Sequence, residues 1–161
     1  MRLSVPAACV AMAALAACAP KQQPTAAVSP HPASNIVPGS QEDLVANVGD
    51  RVFFDFNKSN LDGKGPRTAS NIDVLTRQVA WLKVYGQNNV QVAGNCDERG
   101  TEEYNLALGD LRARTVKTYM VARGIAPARI TTISYGKERP VALGSDEEAW
   151  SQNRNAITSL K

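Results

Sequence analysis

The stretch from Val90 to Arg123, VQVAGNCDERGTEEYNLALGDLRARTVKTYMVAR, decides the fold. Val90 and Val92 alternate with Gln91 and Ala93 as in a half-buried strand. The polar run Gly94 to Gly100 reads as a loop, and a long helical pattern follows it. In that helix Leu108, Arg112, Val116 and Met120 recur every four residues, with Tyr119 alongside. This spacing lets the loop and the helix present Asp97 and Arg112 to one volume. A group carrying both ammonium and carboxylate, such as the free end of an amino acid, complements that pair, because Arg forks onto carboxylate and Asp accepts from ammonium. The competing reading is an ordinary surface ion pair contributing roughly 0–1 kcal/mol, or a structural module in which the two residues only pin the loop to the helix.

Working outward, Arg51 to Phe56 reads as the first strand, with Val52, Phe54 and Phe56 on one face. Gln41 to Asp50 forms a short leading segment, and Asn57 to Gly65 is a polar loop. Pro66 suits a helix start and Gly86 a C-cap, with Ile72, Leu75, Val79 and Leu82 as the apolar stripe between them. After Gly124, Ile130 to Tyr135 reads as a strand. Ser145-Asp146-Glu147-Glu148 is a capping-box pattern opening a short helix, and Ala156 to Leu160 is a weak closing strand. The order βαβαββ predicts an α+β domain, a mixed β-sheet with helices packed on one face.

Residues 1–17 combine Arg2, a short apolar run and small residues before Cys18, the pattern of a secretion signal too short to span a bilayer. Residues 18–40 are rich in Pro, Ala, Gln and Ser and read as a tether, reaching about 70 Å at full extension and averaging about 25 Å as a coil. Residues 41–161 then form the folded domain. Lys and Arg total 18 against 15 Asp and Glu, with no basic block, which argues against nucleic acid. His31, the sole histidine, falls in the tether, so the domain lacks a Ser/His or Cys/His pair and the usual metal-site residues. Asp97 and Glu98 are adjacent and point to opposite sides of an extended segment, a poor catalytic dyad. These points predict no enzyme, no cofactor and no metal. Cys96 shares strand parity with Val90 and Val92, so it should be a buried, unreactive thiol.

Gly94-Asn95-Cys96-Asp97-Glu98-Arg99-Gly100-Thr101-Glu102-Glu103-Tyr104-Asn105, followed by Leu108-Gly109 and Arg112-Ala113, closely resembles the signature of the OmpA-like peptidoglycan-binding domain family. Val52 to Phe56, Ile133 to Pro140 and Asn153-Arg154 extend the match over roughly residues 50 to 155. The resemblance implies that Asp97 and Arg112 hold meso-diaminopimelate, the zwitterionic residue of the wall's stem peptide, and that Arg99, Thr101 and Asn57 contribute further contacts. Leu15-Ala16-Ala17-Cys18 resembles a lipobox, which implies a lipid on Cys18; Ala19 after it implies the outer membrane, with the domain facing the periplasm. The lipoprotein branch of this family implies TolB and other Tol proteins as partners and a part in envelope integrity and cell division. The alternative is a wall anchor without a Tol partner. Four positions depart from the commoner pattern: Asn57 stands where many relatives have Asp, Asn95 where many have His, Leu111 and Asn155 where many have Arg. On this reading Asp97→Ala and Arg112→Ala abolish wall binding and leave melting nearly unchanged.

Overall fold

The computed structural model describes residues 36–161, so the expected secretion signal, most of the expected tether, Cys18 and His31 lie outside the described residues. Four strands form one mixed sheet in the spatial order β1 (Arg51–Phe53), β4 (Asn155–Leu160), β2 (Val90–Asn95), β3 (Ile130–Gly136). β2 pairs parallel with β3 and antiparallel with β4, and β4 pairs antiparallel with β1. The long helices α2 (Asn71–Val84) and α3 (Glu102–Ala122) pack on one face; α1 (Gln41–Asp43) precedes β1 and the short α4 (Glu147–Asn153) precedes β4. This is the expected α+β architecture.

The core lies between that face and the two helices, built from Val52, Phe54, Leu75, Val79, Leu82, Val90, Val92, Val116, Met120 and Ile130. Burying such side chains contributes roughly 1.5–3 kcal/mol each, offset by chain ordering. In the stripe expected on α2, Leu75, Val79 and Leu82 are buried but Ile72 is exposed. The fully buried inward partner is Gln78, whose amide donates to Gly49 O and whose oxygen accepts from the Thr158 hydroxyl. Satisfied at both ends, it sits in the core without the cost of an unpaired amide.

Several boundaries differ from the expected ones for local reasons. α2 starts at Asn71 rather than Pro66, and Gly86 does not cap it, the C-cap being Tyr85. Asn71 is committed elsewhere: its side chain accepts from Phe53 N–H at 2.9 Å and donates to Phe53 O at 2.7 Å, standing in for a missing neighbour of β1. The first strand ends at Phe53, after which the chain leaves the sheet and Phe56 is exposed rather than facing the core. At α4 the N-cap is Asp146, not Ser145, and its carboxylate accepts from Ala149 N–H at 2.8 Å. β4, expected as a weak closing strand, lies inside the sheet between β1 and β2.

Candidate functional site

The site forms where α3 crosses the end of β2. A Cβ on Gly94 would lie 1.8 Å from Gly109 O, and one on Gly109 would lie 2.3 Å from Ser134 Oγ. Only paired glycines allow the helix backbone this close to the strand. Arg112, one turn beyond Gly109, therefore stands directly over the strand end. The β2–β3 register shifts between Gly94 and Asn95, and Cys96 N–H bonds to Gly136 O at 2.7 Å, carrying the chain on between β3 and α3. Residues 94–97 are consequently all buried. Asp97 thus faces inward, although simple alternation from Val90 turns it outward.

Arg112 is 0% exposed. Its guanidinium donates to Lys58 O at 2.9 Å, Asn95 O at 2.7 Å and Cys96 Sγ at 3.3 Å, with a weaker contact to Asp55 O and the Phe54 ring 5.1 Å from it. Among the described residues no carboxylate forms an ion pair with it. Burial lowers its pKa, as expected for a cation removed from water.

Asp97 is buried and accepts four donors: Arg99 N, Nε and Nη2 at 3.2, 3.2 and 2.6 Å, and Arg154 Nη1 at 3.2 Å. Burial pushes its carboxyl up, but these bonds from Arg99 and Arg154 outweigh it and hold the pKa below the usual range. Its partners are therefore Arg99 and Arg154, not Arg112, and the surface ion-pair reading does not hold. Arg99 lies between the Phe56 and Trp150 rings, 4.0 Å from each centroid, and Trp150 Nε1 donates to Glu98 at 3.0 Å. Stacking of this kind fixes the guanidinium plane.

Asp97, Arg99, Arg112 and Asn57 line one pocket of about 160 Å³, together with Arg154 and Tyr104. Asn57 adopts φ 57°, and its side chain accepts from the Tyr104 hydroxyl. Thr101 is absent from the lining; it is the N-cap of α3, its hydroxyl accepting from Tyr104 N–H at 3.2 Å. Asn105 donates to Arg99 O and Thr101 O, tying the loop to the helix. Cys96 is buried with a raised pKa, chiefly from desolvation, and its thiol lies 3.4 Å from Asn105 O. Two departures from the family pattern touch each other: Asn95 Nδ2 donates to Asn155 Oδ1 at 2.8 Å, both side chains being buried. Leu111 is exposed on the outer side of α3.

Arg154 and Phe56 were not legible as pocket residues from spacing, because they come from separate elements and carry no shared period. The family model for the OmpA family matches residues 53–154, which span the strand end, the signature loop, α3 and Arg154. The chain belongs to the OmpA family. A curated relative from Mesorhizobium japonicum, named peptidoglycan-associated lipoprotein, is 46% identical over 95% of this chain and 89% of its own length. One of the same name from Agrobacterium fabrum is 45% identical over 80% of this chain and 69% of its own. The crystal structure of the peptidoglycan-associated lipoprotein from Burkholderia pseudomallei is similar to this OmpA-family domain with a TM-score of 0.64 and 35% identity, covering 74% of this chain and 100% of that one. These names describe association with a polymer rather than a reaction, in keeping with the non-enzymatic reading.

Proposed function

We propose that this chain is an outer-membrane lipoprotein, lipidated on Cys18, whose domain holds peptidoglycan noncovalently by the free end of diaminopimelate and joins membrane to wall. One observation carries the reading: Arg112 is fully buried at a pocket and lacks a carboxylate partner among the described residues. A buried guanidinium without a counter-ion is costly, and a ligand carboxylate arriving there offsets that cost. Asp97, on the same pocket, supplies the acceptor for the ligand's ammonium. Its oxygens are already occupied, so the partly exposed Arg99 side chain yields when the ammonium arrives and remains at the mouth as a contact to the stem peptide. Arg154, only 7% exposed, stays and holds the carboxylate in place.

The names of the relatives support wall association; a role in the Tol-Pal system is part of the same proposal and makes TolB and other Tol proteins the expected partners. Titration of the purified domain with a stem tetrapeptide carrying meso-diaminopimelate at its third position, and with the same peptide carrying lysine there, tests the pocket without altering the protein. Within the peptide lysine presents only its side-chain ammonium and lacks the distal carboxylate, so its affinity should fall by about tenfold or more. Equal affinity for the two peptides refutes the role of Arg112. Recovery of TolB with the tagged chain tests the Tol part; wall binding without TolB recovery describes an anchor outside that system.

A further inference from the structure

Beside the 160 Å³ pocket lies a larger cleft of about 670 Å³, formed between the segment after β1, the loop at Gly65–Thr68 and α4. The two concavities share Phe56 and Arg154 as a common wall, so they adjoin. The walls of the cleft carry Arg67, Glu147, Glu148 and the Ser151 hydroxyl beside Phe56 and Pro66. Glu148 is an exposed carboxylate, bonded to Arg67, which also donates to Ser151 Oγ at 3.1 Å. Glu147, likewise exposed, is bonded to Arg154. Each guanidinium is thus already balanced by a carboxylate, so the cleft offers no spare positive charge to an anionic group. What it does offer is forked donors and acceptors next to an apolar ring edge, a lining suited to neutral hydroxyl and acetamide groups with a C–H face beneath them.

We propose that this cleft is a second subsite that takes a neutral N-acetylated amino sugar of the wall polymer, while the first pocket holds the amino-acid end. The inference rests on the wall-binding reading above. Its size agrees with this: the cleft is several times the volume of the pocket that takes one amino-acid end. Arg67 and Glu148 carry the sugar contacts, and neither lines the first pocket.

The test compares two probes, a diaminopimelate-containing tripeptide and the same tripeptide joined to N-acetylmuramic acid, on the wild-type domain and on Arg67→Ala/Glu148→Ala, by calorimetry. Removing both partners leaves neither charge unpaired. The wild type should bind the sugar-bearing probe about tenfold more tightly than the bare tripeptide, the gain expected from one or two hydrogen bonds to charged groups. In the double variant that ratio should fall to within about twofold, with tripeptide affinity unchanged. Equal affinities in the wild type, or a sugar preference that survives in the variant, overturn the cleft subsite and leave the first pocket standing. A wild type that binds neither probe overturns both. A preference lost together with tripeptide binding also overturns the assignment, because the pair would then be supporting the first pocket.

Discussion

Asp97→Ala should unfold the domain more easily instead of silently removing a ligand contact. Its carboxylate is 3.2 Å from Arg154 Nη1, and the two side chains are 5% and 7% exposed. Deleting one member of a buried pair costs about 3–5 kcal/mol because the other is left charged in a poor solvent for charge. Glu147 remains bonded to Arg154 and Phe54 O still accepts from it, so the loss belongs at the lower end, about 3 kcal/mol. Against a typical total of about 5–15 kcal/mol this is a large fraction, and it corresponds to a melting temperature lower by roughly 10 °C. Urea unfolding followed by circular dichroism gives the number directly. The same pair makes stability acid-sensitive. A carboxylate whose pKa is depressed in the folded state adds stability above its unfolded value, about 3.9, and loses it as pH falls through the folded value. The gap between wild type and Asp97→Asn should be constant above about pH 5 and close below about pH 4. A variant Asp97→Ala that melts within about 2 °C of wild type, or a gap that ignores acid, refutes the buried-pair account.

Gly94→Ala places a methyl 1.8 Å from Gly109 O, where ordinary contact begins near 3.4 Å, so α3 must withdraw and take Arg112 with it. A loss of about 1–3 kcal/mol or more in thermal unfolding, with diaminopimelate affinity reduced in the folded fraction, is expected; wild-type stability would contradict the close crossing. Cys96→Ala should cost about 1 kcal/mol or more while ligand binding persists, and bulky thiol reagents should label native Cys96 only as fast as the domain opens. Rapid labelling in native buffer would show the thiol to be accessible.

The strand, loop and helix of residues 90–123 were legible because their apolar residues follow periods of two and about four, as were the βαβαββ order and the inward thiol of Cys96. Asp97 and Arg112 were legible as occupants of one pocket by charge and position. Their actual partners were not. The bulge after Gly94 turns Asp97 inward, and Arg154 arrives from the start of β4, 57 positions along the chain. That is why alanine substitution at Asp97, expected to be neutral for melting, is now expected to be costly. Asn71 likewise reads as an ordinary helical residue, and only its bonds to the edge of β1 reveal why α2 begins there. Asn95 and Asn155, read singly, are two departures from a pattern; in space they are one amide pair.

The position of β4 bears on when this domain can fold. Residues Asn155–Leu160 sit between β1 and β2, joining strands that come from the first half of the domain. A chain that emerges N-terminus first, from a ribosome or through a membrane channel, holds β1 without any sheet neighbour until these six residues are released. Arg154 arrives at the same moment, so the pocket and the sheet are completed together and last. A growing or partly exported chain therefore has no wall-gripping form, and the earliest instant at which it can take hold of its ligand is set by the delivery of its final strand.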